Sequence, residues 1–146
     1  RPDWILPESV KVIEADNLVE AAHLLNKQAK RVFLSTGSQG LEAFNKLKDV
    51  WFLIRLITKP SAPLTLAHYE ILIARPPFLE EAEILLFQEK NIEFLISKHS
   101  GGPIPAKISA AAALNVPIIL IRQPTPPPGN KTNNISNALT WIRERL

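Results

Sequence analysis

Between Phe94 and Lys107 the chain reads FLISKHSGGPIPAK, the stretch richest in groups that could handle an anion. An apolar run, Ile92 to Ile96, has the composition of a buried strand; it gives way to Ser97-Lys98-His99-Ser100-Gly101-Gly102 and then to an alanine-rich helical segment. Two glycines remove side chains where the backbone must turn sharply or approach a ligand. Free N–H groups at a helix entrance and the Lys98 ammonium both favour negative charge, and a phosphate is the natural guest. The same residues also read as the tight turn that any α/β protein needs, with Lys98 in solvent. Gly101-Gly102 matches neither the dinucleotide pattern GxGxxG nor the P-loop.

A second stretch repeats this organisation. Arg31 to Ser35, RVFLS, predicts a strand, followed by Thr36-Gly37-Ser38-Gln39-Gly40 and a short helix through Leu47. In open parallel sheets ligands bind outside the carboxyl ends of the strands, so the two loops would face one crevice if their strands run parallel. Glycine and serine that merely close a turn and cap a helix are the competing reading. Arg55 is the one charge inside the run VWFLIRLI, Val50 to Ile57. It must be paired, or stand at the strand end beside the crevice. Glu80, Glu81 and Glu83 open a helix, where acids complement the dipole, and are read as dipole partners rather than a catalytic pair. His23 has no carboxylate or second histidine at a ligand spacing and reads as a surface or half-buried side chain.

The elements that must position these groups alternate. Val10 to Ala15 predicts a first strand, and Asp16 or Asn17 caps a helix whose Leu18, Ala21, Ala22 and Leu25 share one face. After the strands at Arg31 and Val50, Thr58 to His68 carries two prolines and reads as an extended link able to cross the sheet between two halves. Tyr69 to Ala74 is a fourth strand, ending at Arg75-Pro76-Pro77-Phe78, and Leu79 to Lys90 a helix. The run at Ile92 is the fifth strand, Lys107 to Leu114 a helix ended by Asn115, and Val116 to Ile121 a sixth strand. Arg1 to Ser9 is an extended lead-in with Trp4 and Ile5 tucked against the body. Thr125 to Gly129 is an irregular proline loop and Ile135 to Leu146 a last helix. Strands alternating with helices, apolar on both faces, predict an α/β three-layer sandwich with a mostly parallel, Rossmann-like sheet.

Composition bounds the function. The 146 residues are one domain's worth, with 46% hydrophobic and 21% charged residues, ordinary for a globular chain. No uninterrupted apolar run reaches the roughly 20 residues of a membrane helix. A net charge of +3, from 17 basic and 14 acidic residues spread along the chain, lacks the dense basic stripe of a nucleic-acid binder and suits small anionic ligands. The absence of cysteine excludes disulfides, thiolate catalysis and zinc–sulfur sites and fits a cytoplasmic protein. With no methionine, even at position 1, and no signal peptide, the chain reads as a fragment of a longer one.

Taken in order, RPDW, RVFLSTGSQGLEAF, WFLIRLI with its proline link, ILIARPPF, LISKHSGG and AKISAAAALNVPIILIRQP resemble the carboxyl-terminal half of the precorrin-6A reductases of cobalamin biosynthesis. The family usually has Asn where His99 stands, Gly where Pro76 or Pro77 stands, and a second Arg where Gln123 stands. The resemblance implies a single α/β domain over residues 1–146, the C-terminal domain of a two-domain reductase whose N-terminal half is missing here. It also implies NADPH as cofactor, a tetrapyrrole precorrin as substrate, and hydride transfer to precorrin-6A or its cobalt form, with no metal. The loop reading agrees in kind: Thr36, Gly37 and Ser38 with Ser100, Gly101 and Gly102 for phosphates, and Arg55, Arg75 or Lys98 as countercharges. Lys98 and His99 are the nearest titratable groups for proton transfer. The alternative is a non-catalytic nucleotide- or sugar-phosphate-binding α/β module, which an unrelated upstream domain would favour.

Overall fold

The computed structural model describes residues 10–25, 29–99 and 103–122. The lead-in, the proline loop after Thr125, the last helix and the Ser100–Gly102 turn lie outside the described residues.

Among the described residues ten elements follow one another: β1 (Val12–Ala15), α1 (Leu18–Leu25), β2 (Arg31–Leu34), a 3-10 helix (Leu41–Phe44), β3 (Trp51–Leu56), β4 (His68–Ile73), α2 (Glu80–Glu89), β5 (Phe94–Lys98), α3 (Ala106–Ala113) and β6 (Ile118–Ile121). The six strands form one sheet in the order β1-β6-β5-β2-β3-β4, every described pair parallel. The continuous apolar runs have their cause in this burial from both sides. Val32, Leu34, Phe52, Ile54, Phe94 and Ile96 face one layer together with α1, the 3-10 helix and its Phe44. Phe33, Leu53 and Leu95 face the other, with Phe87 of α2 and Ile108 of α3. Two cores thus sandwich the sheet.

Local chemistry sets the element ends. The Asn17 side chain accepts from the Glu20 amide at 2.8 Å, and the Glu20 carboxylate accepts from the Asp16 amide at 2.6 Å, a reciprocal cap on α1. Asn115, with φ 56, takes the left-handed turn that ends the α3 region. β5 continues two residues past its apolar run because Ser97 and Lys98 pair with Leu120 and Ile121 of β6.

Two expectations are corrected. The short helix after Gly40 is a single 3-10 turn. The proline link does not cross between two halves of the sheet: it returns to β4, the immediate parallel neighbour of β3. It is held down by Leu64 and Leu66 against the first core, by Thr65 Oγ1 on Asn45 Oδ1 at 2.7 Å, and by the Leu64 amide donating to the Tyr69 hydroxyl at 3.3 Å. This packed extended segment does the covering work of a crossover helix.

The topology selects one place for a ligand. From β2 the chain moves outward through β3 to β4, whereas from β5 it moves the other way to β6. β2 and β5 are neighbours, Val32 opposite Phe94 and Leu34 opposite Ile96, and the connections leaving them pass to opposite layers. A crevice opens at such a switch point.

Candidate functional site

A cleft of about 630 Å³ lies beside this point, over the carboxyl ends of β2, β3 and β4 and against the start of α3. Ser35, Gly37 and Ser38 form one wall as the chain leaves β2, and Pro105, Ala106 and Lys107 at the start of α3 form another. Arg55 to Thr58 at the end of β3, Ala74, Pro76 and Phe78 after β4, and Glu83 of α2 complete the lining. The Ser35 amide and hydroxyl both donate to the Ile96 carbonyl, at 3.0 and 2.9 Å, which pins the β2 loop to β5. Gly37 has φ 88, a left-handed conformation, and open space where a Cβ would stand. That conformation explains glycine here, and the missing side chain leaves its peptide accessible from the cleft.

Arg55 is paired and also lines the cleft. Its two terminal nitrogens donate to the two carboxylate oxygens of Glu83, each at 2.7 Å. The guanidinium carbon lies 3.8 Å from the Phe78 ring centre and 4.9 Å from that of Phe33. Stacking and a bidentate fork together fix this arginine as a rigid wall element. The pair corrects the reading of Glu83 as a dipole partner: Glu83 is 2% exposed and on the sheet side of α2, whereas Glu80 and Glu81 are exposed.

Lys107, one residue into α3, sends its ammonium to the Ser35 carbonyl at a long 3.4 Å. Burial first and the Arg55 charge second lower its pKa, Glu83 offsets part of the fall, and the net value is about 8. Thr36 is buried, and its hydroxyl has no hydrogen-bond partner among the described residues. Buried hydroxyls are ordinarily satisfied, so this one is an available ligand group next to two loop residues that line the cleft.

Of the residues singled out in the sequence, Gly37, Ser38 and Arg55 come together in the cleft, with Thr36 just behind the first two in sequence. Lys98 is exposed at the end of β5 and Arg75 is exposed after β4; neither lines the cleft. His99 is half-buried, and its amide donates to the Ile121 carbonyl at 3.0 Å. Ser100, Gly101 and Gly102 fall outside the described residues. Sequence reasoning missed Glu83, Lys107 and the Ser35 carbonyl. The available signals were Glu83 four residues before the core residue Phe87, and Lys107 as the one charge in Ala106–Ala113. Among the described residues no group of three His, Cys, Asp or Glu could hold a metal, and no helix is long and apolar enough to cross a membrane.

Residues 1–143 match the family described as Precorrin-6x reductase CbiJ/CobK. A precorrin-6A reductase of Rhodococcus erythropolis is 38% identical over 144 residues, which cover 97% of this chain and 58% of the relative. One from Mycobacterium tuberculosis is 34% identical over 97% of this chain and 58% of its own. A cobalt-precorrin-6A reductase of Synechocystis is 29% identical over 100% of this chain and 59% of its own. The solved structure of a CobK precorrin-6A reductase superposes with a TM-score of 0.81 at 29% identity, over 97% of this chain and 59% of that one. The chain therefore spans a little over half the length of these relatives. With nearly every residue matched and the parallel sheet shared, the chain belongs to the precorrin-6x reductase family.

Proposed function

We propose that this chain is the C-terminal α/β domain, residues 1–146, of a cytoplasmic reductase that uses NADPH to reduce precorrin-6A, or its cobalt form, to the dihydro product. What carries the reading is the cleft over the carboxyl ends of β2, β3 and β4, beside the switch point, in a chain of this family. The relatives named as precorrin-6A and cobalt-precorrin-6A reductases support both forms of the substrate. A further domain of the whole protein is part of this reading, and the greater length of the relatives, 58% of which this chain covers in the Rhodococcus reductase, leaves room for it.

The residues present fit a phosphate-bearing cofactor: an accessible peptide at Gly37, a hydroxyl at Ser38, and the hydroxyl of Thr36, which has no partner among the described residues. When bound, the nicotinamide supplies the hydride, and the protein supplies position and charge. Leu56, Ala74, Pro76 and Phe78 give the cleft an apolar wall that excludes water from the reacting face. Arg55 is held by Glu83, so of the three sequence-selected cations Arg75 and Lys98, exposed outside the cleft lining, are the ones whose charge is not spent on that pair. Lys98 and His99, at the exit of β5, are the proton-transfer groups of this reading.

The test uses the full-length protein with precorrin-6A under NADPH or NADH, following nicotinamide oxidation and the gain of two hydrogens by the macrocycle. Consumption of NADPH coupled to that gain, faster than with NADH, is the expected result. Binding of NADPH without reduction would instead establish the non-catalytic module.

A further inference from the structure

The cleft holds three charged groups, and only two of them neutralise each other. Glu83 spends both carboxylate oxygens on the two terminal nitrogens of Arg55. Lys107 is left with the Ser35 carbonyl at 3.4 Å, beyond the ordinary range of a strong charge-assisted bond. The surroundings are apolar, with Pro105 and Ala106 on its own element and Leu56 and Phe78 across the cleft. A half-buried ammonium with one weak neutral acceptor among the described residues is a poor arrangement unless something completes it. A cation would be repelled by both Lys107 and Arg55, and a neutral ligand would leave the charge unmet. The remaining class is an anion.

We propose that Lys107 anchors an oxyanion, a phosphate or a carboxylate, inside the cleft between the β2 loop and the start of α3. Three features shape the pocket around that anion. Lys107 stands in the first turn of α3, whose N-cap, Pro105, makes no side-chain capping bond. Ser38 faces the same space from the β2 loop. The Arg55–Glu83 pair closes the far side as a rigid unit and keeps its own carboxylate turned to the guanidinium.

The chemistry also fixes a proton linkage. The charged groups acting on Lys107 are Arg55 from β3 and Glu83 from α2, and with burial they leave its pKa at about 8. An anion at contact distance favours the ammonium and pulls that value back up. Binding at a pH above about 8 must therefore take up a proton, and affinity must fall as pH rises further. A lysine that serves only to hold the Ser35 carbonyl would show neither behaviour toward a ligand.

The experiment is titration calorimetry of inorganic phosphate, propionate and NADPH into the full-length protein, in buffers of different ionisation enthalpy, for the wild type, Lys107→Met and Lys107→Arg. The expected result is binding of at least one anion to the wild type with proton uptake above pH 8. That binding should be roughly tenfold or more weaker in Lys107→Met and largely kept in Lys107→Arg. Loss for phosphate and NADPH together assigns the site to the cofactor's phosphates; loss for propionate alone assigns it to carboxylate arms of the substrate. Unchanged affinities in Lys107→Met overturn the proposal, as does wild-type anion binding without proton uptake. If Lys107→Met does not fold, the wild-type proton linkage and Lys107→Arg still decide. The inorganic and carboxylate probes report on Lys107 even if precorrin-6A is not reduced.

Discussion

Arg55 and Glu83 meet fork to fork, each carboxylate oxygen 2.7 Å from one guanidinium nitrogen, with only 8% and 3% of the two side chains exposed. The pair ties the end of β3 to α2, and Phe78 caps it from the loop between β4 and α2. A pair buried this deeply is costly to break from one side, because the survivor keeps its charge and loses its partner. Glu83→Leu should therefore destabilise the domain by about 3–5 kcal/mol, measured by urea unfolding. Arg55→Lys should cost less but still lose the fork, since an ammonium cannot satisfy both oxygens in one plane. A loss below about 1 kcal/mol in Glu83→Leu would show that water reaches the pair.

Lys107 gives stability a pH dependence whose sign follows from its pKa. In the unfolded chain the group titrates near 10.5, and in the fold near 8. Between those values the unfolded chain binds more protons, so stability rises with pH across the window. Below pH 8 the group is charged in both states, and the folded form bears the full burial penalty. The ligand-free protein should thus melt at a higher temperature at pH 9.5 than at pH 7.5, after correction for other groups with Lys107→Met. That variant should lose this part of the rise. An identical pH profile in the variant would mean that Lys107 titrates like a solvated lysine.

The sheet was legible because burial on both faces leaves little room for polar residues. Each run around Phe33, Leu53, Leu95 and Ile119 is continuous for that reason, and each became a strand. Strand order was not legible, because it depends on which distant strands share hydrogen bonds, as those of Leu34 and Ile96 do, register partners 62 positions apart in the chain. The site was half legible. Gly37 and Arg55 break local patterns, a glycine turn and a charge in an apolar run, and both line the cleft. Glu83 and Lys107 break no pattern: an acid in a first helical turn and a lysine beginning a helix are ordinary surface choices. Only the layer packed on the sheet turns them inward. The proline link misled for a related reason, since its covering role rests on Leu64 and Leu66, two apolar residues among many turn formers.

Gly37 separates conformational strain from ligand approach. At φ 88 any L residue pays for the left-handed conformation, by about 1–2 kcal/mol for a β-branched side chain, while nothing within 4 Å would block its Cβ. Gly37→Val should lower stability by that amount, and Gly37→Asn by less, because asparagine tolerates this region. Both should weaken NADPH binding in the full-length protein if the cofactor passes over this peptide. Retained affinity in Gly37→Asn would move the contact elsewhere in the cleft.

Thr36 offers a test in which stability and binding move in opposite directions. Its hydroxyl is buried without a partner among the described residues, so the ligand-free fold bears the cost of an unmet polar group. Thr36→Val keeps the shape and removes that group. The ligand-free variant should be more stable by about 1 kcal/mol, read as a higher melting temperature, because no hydrogen bond is lost and a desolvation penalty disappears. If the hydroxyl is held for a ligand, the same variant should bind NADPH or the macrocycle several-fold more weakly, the usual effect of losing one neutral hydrogen bond. A polar group kept at the expense of stability and used on binding is expected at a functional site and is unusual elsewhere. Lower stability in Thr36→Val would show that the hydroxyl already has a partner in solution, such as a buried water. The β2 loop would then contribute its Gly37 peptide and Ser38 to the cleft, and Thr36 would serve to hold the loop in place.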